Sequence, residues 1–342
     1  MATTSSTVIK IMNTIRENAT AEYQNRVPVA TATNIDTLGK AILSGNFQAT
    51  SNEFLSALVN RIGMTIFSNR QLSNPLAIFK TAGLEMGATI QDIFVNPAKA
   101  TPYDSKATDL LAQTKSDVKV CYYEQSRQDK YTVTITQDIL RRAFVSYDNL
   151  ALFINALNNS LYDGNALDEF ILLKTLIGNA IKENRIVNIA TSKNPSDFMI
   201  SAKEVFLNFL MPSSQYNSYA LQGGSGDTVQ TQTRIEDICF IMRSDIQSKV
   251  DIEVLARAFN IDKVQFMGNI ITVDNFTGSP ECMAILCDKS FIKFYENLNI
   301  ATDFFNGSTL ATNYYLHVWQ TLGLSPFANG VAFLDNTVVT GI

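Results

Sequence analysis

The chain contains a single histidine, His317, and histidine is the side chain that most readily exchanges protons near neutral pH. One histidine excludes the zinc motifs that need two, and any Ser-His-Asp triad would depend on this residue alone. Period-two alternation places His317 on the same strand face as Tyr315 and Trp319. We therefore interpret His317 as a packed or hydrogen-bonded structural residue rather than a catalytic one.

Adjacent carboxylates occur at Asp168-Glu169 and at Glu236-Asp237. Paired acids can carry out acid–base chemistry or bind a divalent cation. Neighbours on a helix point about 100° apart, so Asp168 and Glu169 do not converge on one atom. We expect solvated charge on a helix and at a strand edge.

The run Gly223-Gly224-Ser225-Gly226 is of the kind that can cradle a phosphate. It is not a P-loop because no Lys-Ser or Lys-Thr pair follows it, and it lacks the third glycine of the dinucleotide-binding spacing. Asp227 would also repel an anion. The surrounding segment, 213–233, is rich in Ser, Gly, Gln and Thr, which predicts a flexible loop.

The dipeptide Arg141-Arg142 is followed by two aromatic residues, Phe144 and Tyr147. The arginines could contact DNA, another protein or an acidic neighbouring subunit, and they could equally be an ordinary surface pair. Both interpretations stay open. No catalytic constellation, cofactor site or metal site is predicted anywhere in the chain, which is not expected to be an enzyme.

The 342 residues are 46% hydrophobic and 17% charged, which is typical of a globular protein. The net charge of −5 argues against nucleic acid held by a bulk positive field. The four scattered cysteines do not suggest a disulfide framework, and the polar N-terminus predicts no signal peptide, so we expect a reducing, cytosolic origin. No run approaches the roughly 18 consecutive apolar residues of a membrane span.

Apolar residues at helical spacing predict several helices. A short one lies at the N-terminus, where the apolar surface is too small to fold alone and is expected to pack on something else as an arm. A second pattern runs over 52–67. The strongest signal predicts a long helix over 149–183, strained at Gly164 because its two apolar stripes differ in phase. A further helix is predicted from Ala202 to Leu210.

Strand and helix patterns alternate through the later part of the chain. We predict, in order, strand 235–242, helix 245–260, strand 264–274, strand 283–288 and helix 289–295. The tail is β-rich, with an unusually long strand over 313–324 and a short one over 331–334.

Two alternating stretches, 118–123 and 131–136, flank a polar turn at 125–130. This pattern predicts that the two stretches pair as a hairpin. The preceding segment, 96–116, is mostly polar, and a long hairpin with so little apolar content cannot bury both faces in its own domain. We therefore expect the hairpin to lie on a neighbouring subunit.

Several sequence blocks resemble the major head proteins of the phi29-like short-tailed phages. The blocks occur in the same order from about residue 27 to residue 334. They are 27–32 (VPVATA), 58–63 (LVNRIG), 74–76 (NPL), 141–146 (RRAFVS), 251–260 (DIEVLARAFN), 266–269 (FMGN), 273–274 (VD), 313–322 (NYYLHVWQTL) and 327–333 (FANGVAF).

This resemblance implies an α+β chain with the Hong Kong 97 type of tailed-phage major capsid fold. The implied parts are an N-terminal arm at 1–50, a peripheral domain at 51–83 and 137–186 with a long spine helix, an extended loop at 84–136, an axial domain at 187–309, and return strands of the peripheral domain at 310–342. Relatives can carry a C-terminal immunoglobulin-like domain, and none is expected here because the sequence ends at Ile342.

The resemblance implies a structural subunit that assembles as pentamers and hexamers into an icosahedral or prolate head around double-stranded DNA. An encapsulin-like bacterial compartment shell, which shares the fold, is the alternative. The implied partners are other copies of the chain, a scaffolding protein, a portal protein and weakly contacted packaged DNA, with no membrane and no cofactor. The implied location is the virion capsid, assembled in the host cytoplasm. Candidate contacts with other subunits, scaffold or DNA are Arg141, Arg142, Tyr122, Tyr123, Gly223 and Gly224.

Overall fold

The computed structural model describes residues 2–43, 54, 57, 72–81, 89–101, 113, 115–136, 139, 153, 159–224, 228–250 and 269–336. The chain divides into two compact units. The first unit comprises Met1–Asn74, Arg127–Glu169 and Leu298–Trp319, and the second comprises Pro75–Ser126, Phe170–Asn297 and Gln320–Ile342.

Three N-terminal helices belong to the first unit: α1 Ala2–Asn18, α2 Ala21–Arg26 and α3 Ile35–Leu43. The apolar residues of α1 pack on other elements of the same unit, where Ile11, Met12 and Ile15 are buried in its core. Side-chain hydrogen bonds also fix α1 to the following segment: Arg16 Nε donates to Val27 O at 2.7 Å. The arm therefore does not need a neighbouring copy to bury these residues, since α3 and the strands of the first unit supply the apolar partners.

The strands of the first unit are β4 Arg127–Thr136 and parts of two long strands, β9 Ile292–Asn306 and β10 Ala311–Leu324. Strand β10 lies between β4 and β9. The long strand predicted over 313–324 is confirmed. The helix predicted over 289–295 is wrong: from Ile292 onward the backbone is β9, and its start pairs in parallel with β1 Lys80–Thr81, a long-range contact that local periodicity does not reveal.

The second unit contains a five-stranded sheet with strand order β5-β11-β8-β6-β7. Its strand β8 is antiparallel to β11 and β6, and the pairs β11–β5 and β6–β7 are parallel. Alternate residues face two separate cores, which explains the nearly continuous apolar runs of the central strands. The strands are β5 Val187–Thr191, β6 Ile238–Arg243, β7 Ile270–Val273, β8 Cys282–Asp288 and β11 Gly330–Asp335.

Strand β11 belongs to the five-stranded sheet, whereas β10 belongs to a different sheet. Residues 310–342 were expected to return together to one domain, but β11 pairs with β5 and β8, both of which fall in the segment predicted to be axial. The residues of β10 up to Trp319 belong to the first unit, and those from Gln320 onward belong to the second. The tail residues therefore do not all belong to one unit.

Among the described residues, a long helix lies on each face of the five-stranded sheet. Helix α4 Gly164–Lys182 packs on the face that includes Cys239 and Ile241, and α5 Pro195–Phe209 packs on the face that includes Phe240. A π-helical turn over Asn159–Asp163 directly precedes Gly164, which agrees with the irregularity predicted there. Of the predicted segment 149–158, only Phe153 is among the described residues, and it is helical.

Helix α5 begins seven residues before the predicted start at Ala202 because Asn194 caps it: the Asn194 Oδ1 atom accepts a hydrogen bond from Ser196 N at 3.1 Å, and Pro195 occupies the first turn. Short helical turns are α6 Ser244–Gln247 and the 3-10 helices Pro75–Phe79 and Ile235–Asp237. The predictions for 251–260 and 264–268 lie outside the described residues, as does most of 52–67, of which Phe54 and Ala57 are helical.

The predicted hairpin is wrong in its pairing. Strand β3 Val118–Tyr123 pairs with β2 Ile90–Val95 and not with β4. Strand β4 instead lies beside β10, where Thr134 Oγ1 donates to Asn313 Oδ1 at 2.6 Å. The alternating patterns of β3 and β4 identified the strands correctly, but proximity in sequence does not fix the partner.

Candidate inter-subunit surface

The β2–β3 hairpin belongs to the second unit and is a two-stranded antiparallel sheet of its own. Its register pairs Ile93 with Val120 and Val95 with Val118. Because side chains alternate along each strand, the hairpin has one face made of these residues and an opposite face made of their neighbours. The two faces have very different environments.

We call the first of these the hairpin outer face. It consists of five exposed apolar or aromatic side chains, which are Ile93, Val95, Val118, Val120 and Tyr122, with exposed fractions of 54%, 55%, 48%, 41% and 63%. Gln91 lies beside them, and its Nε2 atom donates to Tyr122 Oη at 3.3 Å. A contiguous apolar patch on a short ribbon is typical of a surface that another molecule covers.

The opposite, inner face holds the hairpin on the second unit. The ring of Phe94 stacks on that of Phe327, with 5.7 Å between the ring centroids. The carboxylate of Asp92 accepts a hydrogen bond from Ser325 Oγ at 2.6 Å and pairs with Lys293 Nζ at 3.3 Å. The stacking of Phe94 on Phe327 and the contacts of the Asp92 carboxylate with Ser325 and Lys293 therefore fix the orientation of the hairpin.

Tyr123 is the most buried residue of the hairpin, with 8% of its surface exposed. Its hydroxyl donates to Leu324 O at 3.4 Å, and burial raises its pKa far above the ordinary value. Its ring lies against Gly323, where a Cβ atom would stand 2.5 Å from the ring carbon Cδ1. Tyr122 and Tyr123 were predicted together as contact residues, but the structure places them on opposite faces, with only Tyr122 at the surface.

Asn96 connects the end of β2 to the start of β3 and to the loop 213–233. Its Nδ2 donates to Asp117 Oδ2 at 2.6 Å, and its Oδ1 accepts from Gln230 N at 3.2 Å. Asp117 also pairs with Lys119 Nζ at 2.9 Å. The hydrogen bond from Asn96, assisted by Lys119, lowers the pKa of the Asp117 carboxyl below its ordinary value.

The glycine-containing loop is more ordered than its composition predicts. Asn217 Nδ2 donates to Val229 O at 2.9 Å, and Thr231 Oγ1 donates to Asn329 Oδ1 at 2.5 Å, with all of these residues buried. Buried polar side chains that satisfy one another fix a unique loop conformation, so the flexible-loop expectation is wrong for 213–224 and 228–233. Residues 225–227 lie outside the described part of the chain.

Gly223 and Gly224 have backbone roles in this loop. Gly223 has φ of +82°, a conformation that favours glycine. Gly224 N donates to Tyr219 O at 2.8 Å, and a Cβ atom on Gly224 would stand 2.4 Å from that same oxygen. The Tyr219 ring lies 5.8 Å from that of Phe327, which is the residue that Phe94 stacks on. Aromatic contacts therefore join the loop to the hairpin.

The remaining residues considered from sequence are dispersed. His317 Nε2 lies 3.1 Å from Thr302 Oγ1, so it is hydrogen-bonded as predicted. Asp168 accepts from Tyr131 Oη at 2.6 Å, and Glu169 accepts from Asn165 at 3.0 Å. The two carboxylates do not converge, but Glu169 is buried rather than solvated, and Asn165, one turn before it on α4, supplies a hydrogen bond to its carboxylate.

Arg141 and Arg142 lie outside the described residues. Within the described ranges, no group of three or more His, Cys, Asp or Glu side chains could hold a metal ion. No helix in that part of the chain is long and apolar enough to cross a membrane.

Sequence reasoning missed the residues that anchor the hairpin, namely Asp92, Phe94, Asn96 and Phe327. The signal was weak because both faces of β2 carry apolar residues, so Ile90–Val95 does not alternate between apolar and polar. Its one charged residue is Asp92, and a carboxylate among mostly apolar neighbours usually has a partner.

Comparison with known proteins identifies the family. Residues 12–334 match the family model described as Phi29-like phage major capsid protein. The chain is 34% identical over 342 residues to the major capsid protein of Bacillus phage B103, covering 97% of this chain and 74% of that protein. It is 28% identical over 348 residues to the major capsid protein of Streptococcus phage Cp-1, covering 94% and 92% respectively.

A solved structure supports the fold. The capsid structure of Staphylococcus phage Andhra contains a chain with a TM-score of 0.63 at 15% identity, covering 77% of this chain and 84% of that one. The mixed helix and sheet content agrees with an α+β tailed-phage capsid fold. The match to the family model extends over most of the sequence, and this chain belongs to the family of phi29-like phage major capsid proteins.

Proposed function

We propose that copies of this chain assemble as pentamers and hexamers into an icosahedral or prolate phage head that encloses double-stranded DNA. Proteins of this family are structural and not enzymes, and the family match favours a phage head over a bacterial compartment shell. The observation that carries the proposal at residue level is the hairpin outer face, which presents five apolar or aromatic side chains to solvent.

Burial of the hairpin outer face would stabilise contact between subunits. Apolar surface removed from water contributes about 25 cal/mol per Å². A stable interface needs more than about 1,000 Å² in total, so the hairpin supplies one part of a larger contact. The occupant that we propose is a second copy of the chain, because a shell places copies side by side.

The anchored inner face suits this role. A two-stranded ribbon is only marginally stable by itself, but Phe94 and Asp92 hold this one in a fixed position before any partner arrives. A pre-positioned ribbon loses less conformational freedom when a neighbouring copy binds. We assign it to the extended loop, 84–136, of the capsid fold.

The other parts of the capsid fold follow as proposals. We assign 1–50 to the arm, 51–83 and 137–186 to the peripheral domain with its spine helix, and 187–309 to the axial domain. The five-stranded sheet supports including β11 with the axial elements, since it pairs with β5 and β8.

The partners that we propose are a scaffolding protein, a portal protein and packaged DNA in weak contact. The net charge of −5 supports weak contact with DNA, because a chain that bound phosphate tightly would carry excess positive charge. The proposed location is the capsid of the virion, after assembly in the host cytoplasm.

Electron microscopy of the purified chain, alone and with its scaffolding protein, tests this function. The proposal predicts closed shells or rings of five and six subunits. A chain that stays monomeric under all assembly conditions, with scaffolding protein present, would contradict it.

A further inference from the structure

We propose that Asn306-Gly307, in the turn between β9 and β10, is a site of spontaneous deamidation at which the folded protein accumulates aspartate and isoaspartate. The sequence contains two Asn-Gly pairs, Asn306-Gly307 and Asn329-Gly330. The structure places them in opposite environments, and this contrast carries the inference.

The reaction needs only water. The backbone nitrogen of Gly307 forms a bond to Cγ of Asn306, the bond from Cγ to Nδ2 breaks, and the amide nitrogen leaves as ammonia with the proton from the Gly307 nitrogen. Water then opens the succinimide ring at one of its two carbonyls. The products are aspartate or isoaspartate, with one water consumed and one ammonia released.

Asn306 has the access and the orientation that this chemistry requires. It is the last residue of β9, and Gly307, Ser308, Thr309 and Leu310 of the following turn are all exposed. Ser308 N donates to Asn306 Oδ1 at 2.9 Å, which is an Asx turn. This hydrogen bond folds the side chain over the Gly307 peptide and polarises the Cγ carbonyl, so attack by the neighbouring nitrogen is favoured.

Asn329 has the same sequence context but is protected. It is buried, with 1% of its surface exposed. Its Oδ1 accepts from Thr231 Oγ1 and its Nδ2 donates to Thr233 Oγ1 at 3.1 Å. The nitrogen that would attack, Gly330 N, donates to Tyr216 O at 2.9 Å. Succinimide formation there would break three hydrogen bonds inside a packed unit.

The two glycines also differ in whether their surroundings leave room for a side chain. A Cβ atom on Gly330 would stand 2.6 Å from the ring of Phe291, so a side chain is excluded there. A Cβ atom on Gly307 would meet only Phe305, at 3.9 Å, which is ordinary van der Waals contact. The turn therefore tolerates alanine at 307, and Gly307→Ala can slow the reaction without disturbing the fold.

The modification changes both charge and backbone at the tip of the β9–β10 connection. Each event adds one negative charge at residue 306, and the isoaspartate product also inserts a methylene into the backbone. In a shell of many copies, the fraction of chains modified at Asn306 would increase with the time since synthesis.

Peptide mapping by mass spectrometry of the intact chain, after incubation at mildly alkaline pH, tests the inference. We expect the peptide with Asn306 to gain about 1 Da and to contain isoaspartate, while the peptide with Asn329 stays unchanged. In urea, where both pairs are exposed, the two peptides should react at similar rates. Gly307→Ala should slow the reaction at Asn306 several-fold in the folded chain.

Two results would overturn the inference. One is a folded protein in which Asn306 deamidates no faster than Asn329. The other is a Gly307→Ala variant, with an unchanged unfolding midpoint, that deamidates at the original rate. Because the unfolding midpoint is measured separately, a folding defect is distinguishable from a failure of the proposed chemistry.

Discussion

The rings of Phe94 and Phe327 stack at a centroid distance of 5.7 Å, and this contact places the β2–β3 hairpin on the second unit. Phe327 also lies 5.8 Å from Tyr219 of the glycine-containing loop. One aromatic residue near the end of the chain therefore contacts both the hairpin, which was expected to lie on a neighbouring subunit, and the loop, which was expected to be flexible. The hairpin that we propose as part of the assembly surface is therefore held in place by contacts within a single copy.

Truncation of the inner face should destabilise the chain more than truncation of the outer face. We expect Phe94→Ala to lower the free energy of unfolding by about 1–3 kcal/mol, because it removes the stacking and part of an apolar contact. The matched control is the neighbouring Ile93→Ala, which points outward and should change stability by less than about 0.5 kcal/mol. Urea unfolding of both variants measures the difference, and equal losses would contradict the assignment of the two faces.

A charge on the outer face should block assembly without unfolding the subunit. We expect Ile93→Glu to keep the wild-type unfolding midpoint, since the side chain is exposed, but to form few or no shells. Burying an unpaired carboxylate in an interface is unfavourable by several kcal/mol. Ile93→Leu, which preserves the apolar surface, is the control that should still assemble. Normal shells from Ile93→Glu, counted by electron microscopy, would exclude the hairpin outer face from the interface.

The backbone geometry of the loop predicts that Gly224 does not tolerate a side chain. In Gly224→Ala, the new Cβ atom would stand 2.4 Å from Tyr219 O, and relief of that clash should cost about 1–3 kcal/mol of stability. Gly307→Ala, whose Cβ has room, is the matched substitution and should leave the unfolding midpoint unchanged. Thermal unfolding of the two variants checks this, and a neutral Gly224→Ala would show that the loop rearranges freely.

Acid should weaken one specific ion pair at the end of β6. The Arg243 guanidinium donates to both carboxylate oxygens of Asp245, at 2.5 and 2.9 Å, and this holds the pKa of Asp245 below its ordinary value of 3.8. A lowered folded-state pKa stabilises the fold at pH values above the unfolded-state pKa, and this stabilisation is lost as the pH falls through the folded-state pKa.

Asp245→Asn should therefore reduce stability near neutral pH, and the difference from wild type should shrink below about pH 4. Urea unfolding of both proteins across that range provides the measurement. A difference that stays constant with pH would mean that the charge of Asp245 does not contribute.

Local patterns predicted many of the elements of the fold. Strands β8, β10 and β11 and the second half of helix α5 follow from local patterns, and the irregularity at Gly164 follows from the phase change between two apolar stripes. The predictions failed where long-range pairing decides the outcome. Residues 289–295 were predicted to be a helix, but from Ile292 onward they form the start of β9, which pairs with β1. Strand β3 pairs with β2 rather than with β4, the strand that follows it in the sequence.

The candidate surface was only partly predictable, for a related reason. The exposure of Tyr122 and the burial of Tyr123 depend on which face of β3 meets Gly323, and alternation alone does not say which face turns inward. The loop 213–233 was misjudged because its order comes from Asn329, about a hundred residues away, whose amide bonds to Thr231 and Thr233.

A cryo-electron microscopy map of the assembled shell tests the central claim most directly. We predict that a neighbouring copy covers the hairpin outer face, so that Ile93, Val120 and Tyr122 become buried while Phe94 stays stacked on Phe327. A shell in which these outer-face side chains remain exposed to solvent would contradict the account.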